Sequence, residues 1–283
     1  MFSSKIESSG LNLWIRERRL LQRMRASNAK HETFVISLPK SGRTWHRLML
    51  GYYLARGSGN DPKDSLKLDY LTNAAGIPSL AYTHNASSFT EKLPPRSKAV
   101  ASPLEWQGRN VMLLTRDNRD VLVSSYFHSR FRDKAFDGSI SEFIRNPFVG
   151  IVKILTAFNR WHENRNLAKK FSVLSYEEIK TDPKAALATS LSFVGVTEPD
   201  PKIIQEAVAF GDFGNLQKME QSDYFRSTEM RNSSNDPRGR KIRSGKVGGF
   251  REHLSDEDLL FIEKMERELG NPFSPNVVEP KEA

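Results

Sequence analysis

The chain has 283 residues and no cysteine, and this absence excludes several classes of protein. A disulfide scaffold, a cysteine-ligated zinc site, an iron–sulfur cluster and a catalytic thiol all require cysteine. Long hydrophobic runs are also absent, because the longest apolar segments, residues 34–38 and 48–55, are much shorter than the roughly 20 residues that cross a bilayer. Charged residues at 16–19 interrupt the apolar residues near the N-terminus, which argues against a signal peptide. We therefore expect a cytoplasmic protein without a transmembrane segment.

Acidic residues are outnumbered, since 34 Asp and Glu against 43 Lys and Arg give a net charge of +9. A surplus of this size indicates an anionic partner, and nucleic acid, acidic lipid and a small phosphorylated ligand are all compatible with it. The length suits one large domain or two small ones, and neither an internal repeat nor a linker divides the chain. We expect an N-terminal basic helical extension at residues 1–30 and a single domain at residues 31–283.

The N-terminal extension combines arginines with an apolar stripe. Leu13, Leu20, Leu21 and Met24 share one face of a helix, which predicts that this face packs on the main domain while the arginines contact solvent. A helix that lies on a membrane surface is the alternative interpretation.

Strand-like and helical segments alternate along the rest of the chain. Residues 33–38 (TFVISL) form a short β-prone run, residues 39–42 break it, and residues 43–56 have a helical pattern. The same reasoning predicts further strands at 80–83, 110–115 and 171–175, further helices at 121–131, 149–167, 183–194 and after Ser139 and Ser255, and irregular segments at 57–78 and 221–249. This alternation predicts an α/β fold in which helices cover both faces of a central parallel sheet.

The turn between the first strand and its helix, residues 39–45 (PKSGRTW), is a candidate anion site. Strand, glycine turn and helix form a phosphate-binding unit, because the unpaired amide groups of the helix N-terminus follow Gly42 directly. Lys40 and Ser41 add further donors. The segment is not a Walker A loop, since its lysine precedes the glycine and no earlier glycine has the right spacing. Taken alone, it is also compatible with an ordinary helix cap.

Two further segments place cations where a ligand can bind. Arg116 follows the strongest predicted strand directly, with Ser124 eight residues later, so the guanidinium lies at the carboxyl end of a strand, where α/β sheets bind ligands. Residues 240–246 contain four cations and residues 245–249 contain three glycines, a combination that suits a polyanion. Taken alone, the first segment also fits a charged helix start, and the second a flexible basic loop or a nucleic-acid contact.

Together the three segments resemble the sulfotransferase family that uses 3′-phosphoadenosine 5′-phosphosulfate (PAPS). Residues 40–45 resemble its 5′-phosphosulfate loop, usually PKSGTTW, residues 116–124 resemble its 3′-phosphate motif, and residues 243–249 resemble its RKGxxG segment. Order and approximate spacing agree over residues 33–255. The resemblance implies a P-loop-like sulfotransferase domain with PAPS as sulfuryl donor, 3′-phosphoadenosine 5′-phosphate (PAP) as product and no metal.

The resemblance also implies a role for each matching residue. Lys40 would be catalytic, because it would bind the bridging oxygen and stabilise the charge on the leaving phosphate. The loop residues would hold the 5′-phosphate, Trp45, Tyr176 and Phe213 would contact the adenine, and the remaining residues would bind the 3′-phosphate. The complete implied donor-binding set is Lys40, Ser41, Gly42, Arg43, Thr44, Trp45, Arg116, Ser124, Tyr176, Phe213, Arg243, Ser244 and Gly245.

Among the six histidines, His84 is the candidate general base. The segment Tyr82-Thr83-His84 resembles the family's KTH segment, whose histidine deprotonates the acceptor, and an imidazole with an ordinary pKa near 6.5 suits that task. Asp69 is the second candidate, because carbohydrate sulfotransferases often use a carboxylate. Tyr82 replaces the KTH lysine, so a cation expected near the sulfuryl group is missing there. This departure, together with Arg43 and Ser244, predicts a divergent branch of the family.

The predicted reaction is in-line sulfuryl transfer from PAPS to a hydroxyl or nitrogen of a small-molecule or carbohydrate acceptor. Segments 57–90, 132–150 and 221–240 are expected to shape the acceptor pocket. Phenylalanines that could line it or belong to the core are Phe89, Phe131, Phe136, Phe143 and Phe148. We expect no nucleic-acid partner and leave a homodimer open. The alternatives are a non-catalytic nucleotide-binding protein of the same fold, a basic nucleic-acid-binding protein and a P-loop kinase.

Overall fold

The computed structural model describes residues 10–89, 93–227, 230 and 236–273, with side chains from Leu13 onward. Residues 1–9 of the predicted extension, most of 228–235 within the predicted loop, and the last ten residues lie outside this range.

The strands are β1 (Thr33–Ser37), β2 (Leu80–Thr83), β3 (Asn110–Thr115) and β4 (Lys170–Ser175). The helices are α1 (Gly10–Asn28), α2 (Arg43–Gly57), α3 (Leu68–Ala74), α4 (Asn118–Phe127), α5 (Ile140–Arg145), α6 (Ile151–Glu163), α7 (Tyr176–Thr181), α8 (Pro183–Val194), α9 (Pro201–Phe210), α10 (Phe213–Gln221) and α11 (Asp256–Leu269).

The four strands form one parallel sheet in the order β2-β1-β3-β4, which confirms the predicted α/β class. In register, Ile36 of β1 lies opposite Thr83 of β2 and Leu113 of β3. Because all strands run the same way, their carboxyl ends meet at one edge of the sheet. The segments that follow β1, β2, β3 and β4 therefore start close together.

Helices cover both faces of this sheet. Phe34 and Ile36 of β1 belong to one core cluster, with α4 and α6, while Val35 between them belongs to a second, with α2 and α8. This alternation follows from the period of two along a strand. Every residue of β1 is buried, as expected of a central strand packed on both sides.

Helix α1 packs on the first cluster through the residues of its predicted apolar stripe, Leu13, Leu20, Leu21 and Met24. The exposed face carries Trp14, with the guanidinium of Arg18 over its ring at 5.4 Å. Within the described part of the chain, no helix has the length and apolar character needed to span a membrane.

Several element boundaries differ from the predictions, for identifiable reasons. The helix predicted at 121–131 begins at Asn118, because the Asp117 side chain caps it, and continues beyond Phe127 as a π-helix, His128–Arg132. The helix predicted at 149–167 is shorter, since α6 ends at Glu163 and a 3-10 turn follows. The segment predicted as irregular at 57–78 contains a 3-10 helix, Pro62–Leu66, and α3.

Candidate active site

The turn between β1 and α2 has two residues in the left-handed region, Lys40 with φ 71° and Gly42 with φ 84°. Gly42 is the residue before the first turn of α2, so the turn aims the free amide groups of that helix at the carboxyl edge of the sheet. A Cβ on Gly42 would lie 2.6 Å from the Tyr176 ring, so only glycine fits here. Ser41 is fully buried beneath the turn, and its hydroxyl has no hydrogen-bond partner among the described residues.

A cleft of about 580 Å³ opens at this edge of the sheet. Every residue of the implied donor-binding set except Ser41 borders it, and so does His84. The cleft thus brings together the turn between β1 and α2, the Arg116 and Ser124 pair, the predicted adenine contacts and the loop at residues 240–249 (the C-terminal loop). Segments more than one hundred residues apart in sequence therefore meet in one place, and the volume is within the range of small-molecule sites.

Arg116 joins the turn between β1 and α2 to the C-terminal loop. Its guanidinium donates to the backbone carbonyl of Lys40 at 3.0 Å and to that of Lys246 at 2.9 Å. The same guanidinium lies over the Tyr176 ring, 4.3 Å from its centroid, and 3.6 Å from the Asp120 carboxylate. Its Nε is buried without a partner among the described residues. Arg116 is thus fixed in place with a donor still available.

Two buried carboxylates hold the C-terminal loop against the cleft. Asp120 accepts the backbone N–H groups of Gly248 at 2.8 Å and Phe250 at 3.0 Å. Glu220 accepts the backbone N–H groups of Lys241 at 2.8 Å and Ile242 at 3.0 Å. In the sequence, Asp120 belongs to the segment that also fits a charged helix start. The long-range contacts give it a second task.

Three aromatic side chains line one end of the cleft. The rings of Trp45 and Tyr176 meet edge to face with centroids 5.6 Å apart. The Tyr176 hydroxyl donates to the carbonyl of Gly245 at 3.1 Å, and Phe213 packs so closely on Gly245 that a Cβ there would lie 2.7 Å from its ring. The three rings offer aromatic contacts that suit a planar heterocycle.

The Lys40 ammonium reaches into the cleft beside a histidine, with Nζ 3.4 Å from His128 Nδ1. Burial, followed by the positive charges of Lys241, Arg132, Arg116 and Arg243, lowers the pKa of Lys40 from its ordinary value to about 7. Without an anion in the cleft, this lysine therefore loses its proton easily. An anionic ligand would restore the charged form.

His84 follows β2 and turns its ring toward β1. Its Nδ1 lies 2.8 Å from the backbone carbonyl of Ser37. A carbonyl only accepts hydrogen bonds, so the neutral ring carries its proton on Nδ1 and keeps Nε2 as an acceptor. This is the tautomer required of a base that takes a proton through Nε2.

His128 is a cleft residue to which sequence reasoning gave no role. It is the first residue of the π-helix, its Nε2 lies 3.3 Å from the Asp133 carboxylate, and burial, followed by the charges of Lys40 and Arg132, lowers its pKa to about 3. The ring is therefore neutral at physiological pH. The i, i+4 spacing from Ser124 was the available signal, because such residues share a helix face.

Tyr82, the residue in place of the KTH lysine, lies away from the cleft. Ser190 Oγ donates to the carbonyl of Ala186, so it accepts the Nε2 proton of His46 at 2.8 Å, and the Tyr82 hydroxyl donates to His46 Nδ1 at 2.8 Å. Burial lowers the pKa of His46 to about 4, so this buried chain is neutral. Position 82 therefore supplies no cation to the cleft, whereas Lys241 borders the cleft and exerts the largest charge effect on Lys40.

Asp69 and most of the candidate phenylalanines do not reach the cleft. The Asp69 carboxylate pairs with Lys30 at 2.5 Å on an exposed surface, so the structure gives no support to Asp69 as a base. Phe89 borders the cleft, whereas Phe143 is fully buried in the core. Phe131 and Phe136 pack around Tyr126 instead, with ring centroids 6.4 Å from it in both cases.

Comparison with known proteins gives the family. The sulfotransferase domain family matches residues 30–270, and the chain belongs to it. Amine sulfotransferase of Oryctolagus cuniculus is 24% identical over 255 residues, covering 83% of this chain and 80% of its own length. Sulfotransferase 2B1 of Rattus norvegicus is 25% identical over 258 residues, covering 86% of this chain and 73% of its own length. These low identities agree with the predicted divergent branch.

The solved structure of retinol dehydratase in complex with retinol and PAP has the same fold. It aligns with a TM-score of 0.56 at 18% identity, covering 93% of this chain and 88% of that one. The resemblance stated from three sequence segments is therefore confirmed at the level of family and fold.

Proposed function

We propose that this protein is a sulfotransferase that moves a sulfuryl group from PAPS to a small acceptor. The observation that carries the proposal is the convergence of the three motif segments and His84 on one cleft at the carboxyl edge of the sheet. Residues 31–283 would act as one sulfotransferase domain, preceded by the extension at 1–30, in the cytoplasm. Neither nucleic acid nor a metal takes part in the proposed reaction.

The charge and polarity of the cleft fit the donor. PAPS carries about four negative charges, which call for several charge-assisted hydrogen bonds. The cations that border the cleft are Lys40, Arg43, Arg116, Lys180, Lys241, Arg243 and Lys246. Arg116 borders the cleft, and its Nε, which has no partner among the described residues, would gain one from a phosphate oxygen. The structural relative's complex with PAP supports the same donor class.

The proposed transfer is a single displacement at sulfur. The acceptor oxygen or nitrogen forms a bond to sulfur while the bond from sulfur to the bridging oxygen of the 5′-phosphate breaks, and its electron pair leaves with PAP. His84 Nε2 receives the acceptor's proton. Lys40 donates to the bridging oxygen, and the amide groups at the N-terminus of α2 stabilise the phosphate charge.

For the acceptor, we propose an alcohol, phenol or amine with an apolar body. His84, His128, Phe89 and Ile242 all border the cleft, which combines a base with apolar contacts. The relative named for amine sulfation and the relative bound to retinol favour this class. A carbohydrate hydroxyl is the alternative acceptor.

The direct test is transfer of ³⁵S-sulfate from labelled PAPS to a panel of phenols, alcohols, amines and sugars. We expect label in at least one small acceptor with wild-type protein and a loss of about 100-fold or more with His84→Gln, because removal of a general base typically costs that much. Wild-type protein that binds PAPS but labels no acceptor class would favour the non-catalytic alternative.

A further inference from the structure

The turn that carries His84 has an unusual backbone. Asn85 and Ala86 have φ values of 47° and 56°, in the left-handed region that residues other than glycine rarely adopt. Such a conformation persists only where surrounding contacts over-determine it. The contacts that hold this turn therefore also decide where the His84 ring lies.

A buried carboxylate ties together the two neighbours of His84. Glu105 is 8% exposed, and its Oε1 accepts the Thr83 hydroxyl at 3.1 Å while its Oε2 accepts the Asn85 side-chain amide at 2.5 Å. The Thr83 hydroxyl in turn accepts the backbone N–H of Asn85 at 2.9 Å. The Glu105 carboxylate thus closes a ring of hydrogen bonds with Thr83 and Asn85, the two residues that flank His84.

Asn85 is held from several other directions. Its side-chain amide also donates to the carbonyl of Ser102 at 3.0 Å, and its amide oxygen accepts the indole N–H of Trp161 at 2.8 Å. Its backbone carbonyl accepts the N–H of Ala101 at 2.8 Å. Asn85 is 1% exposed, so water cannot replace these partners easily.

We propose that Glu105 is the positioning residue for His84, acting through Thr83 and Asn85. This inference rests on the proposed function, because it takes His84 as the base. The His84 Nδ1 hydrogen bond to Ser37 requires the turn to keep its conformation. A turn without the carboxylate would let the ring move and the proton occupy Nε2, the atom that must accept the acceptor's proton.

Helix α1 reaches the same carboxylate. Asn28, the last residue of α1, donates to Glu105 Oε1 at 2.5 Å. The N-terminal helix therefore contacts the network that positions His84, although it lies outside the cleft itself. Docking of α1 contributes to the geometry of the base.

Thr83→Val and Thr83→Ser form a matched pair for the test. Valine keeps the β-branched shape that suits a strand but removes the hydroxyl, whereas serine keeps the hydroxyl. In protein labelled with ¹⁵N-histidine and bound to PAP, long-range ¹H–¹⁵N spectra distinguish the two tautomers, and His84→Gln identifies the His84 signals. These spectra are recorded with PAP alone, so they need no known acceptor.

We expect the Nδ1–H tautomer of His84 in wild type and Thr83→Ser, and a mixture of tautomers in Thr83→Val and Glu105→Gln, with PAP affinity unchanged. Asn28→Ala should shift the populations in the same direction by less. A wild-type tautomer pattern in both Thr83→Val and Glu105→Gln would overturn the positioning role. Thr83→Val protein that no longer binds PAP would also overturn it, because the network would then support the fold as a whole. Wild-type protein that fails to bind PAP contradicts the proposed function instead.

Discussion

Lys40 combines two properties at the scale of single residues. It lies in the turn just before helix α2, and burial, followed by neighbouring cations, lowers its pKa to about 7. A donor anion favours the charged form, so ligand binding and protonation of Lys40 are linked. Lys40 takes up a proton when the anion binds, because its pKa then rises from about 7 toward the ordinary value.

We expect PAP binding at pH 8 to take up nearly one proton, because a group with a pKa of about 7 is about nine-tenths neutral at that pH. Calorimetric titrations in two buffers of different ionisation enthalpy measure this number. Lys40→Arg is the control, because it keeps the charge and does not titrate. Uptake of the same size in Lys40→Arg would refute the assignment to Lys40.

The site residues that sequence alone could predict are those within short motifs. Lys40, Gly42 and Arg116 were found because their spacing from a strand or helix has a local physical meaning. Asp120 and Glu220 were not found, because their task is to accept amide groups from a loop distant in sequence. Nothing local distinguishes such a carboxylate from an acid that favours a helix start.

Among the elements, the turn between β1 and α2 requires glycine at position 42 for two separate reasons. Gly42→Ala combines a left-handed backbone with a clash against Tyr176, whereas Gly59, with φ 71°, has open space within 4 Å of the position that a Cβ would occupy. Both changes should cost about 1–2 kcal/mol of backbone strain. Only Gly42→Ala should also weaken PAP binding, by roughly 10-fold, because Tyr176 loses its contacts with Arg116 and Gly245.

Calorimetric PAP titration of both glycine variants checks this expectation, with thermal unfolding to measure the shared strain. Equal PAP affinities in Gly42→Ala and Gly59→Ala would contradict the assigned role of the turn. The comparison separates strain from steric clash, since the two glycines share the positive φ and differ in their surroundings.

Helix α4 anchors the C-terminal loop through Asp120. Asp120→Asn replaces one acceptor oxygen by a donor that faces a backbone N–H, and a charged hydrogen bond of this kind is worth about 1.5–3 kcal/mol. We expect the loop at 241–249 to become more sensitive to limited proteolysis and PAP affinity to fall by roughly 10-fold or more. Asp117→Asn at the N-cap of α4 is the control, because asparagine is an equally good helix cap. Identical cleavage of both variants would refute the anchoring role.

The elements that sequence reasoning missed are short. Helices α3, α9 and α10 have 7, 10 and 9 residues, lengths at which isolated helices are not stable in water. Asp200 and Asp212 cap α9 and α10. The two helices are stabilised mainly by packing against α2 and neighbouring segments. Helix α5 is also short, but its capping box predicted it, and the other predicted elements have a hydrophobic pattern that is visible without tertiary contacts.

At the scale of the whole molecule, the parallel sheet explains why dispersed motifs form one site. The segments after β1, β2, β3 and β4 start at the same edge, and they supply Lys40, His84, Arg116 and Tyr176. The surplus of positive charge predicted an anionic ligand but not its location. The fold places seven of the cations around one cleft that is large enough for a small ligand. The positive charge is therefore concentrated where an anionic ligand would bind.

The central claim is that this cleft binds a 3′-phosphorylated adenosine nucleotide. Calorimetric titration with PAP, compared with AMP, tests it in wild type, Arg116→Ala and His84→Ala. We predict tight binding of PAP to wild type, much weaker binding of AMP because it lacks the 3′-phosphate, loss of PAP binding in Arg116→Ala and retention in His84→Ala. Wild-type protein that binds no PAP, or binds PAP and AMP equally, would contradict the account.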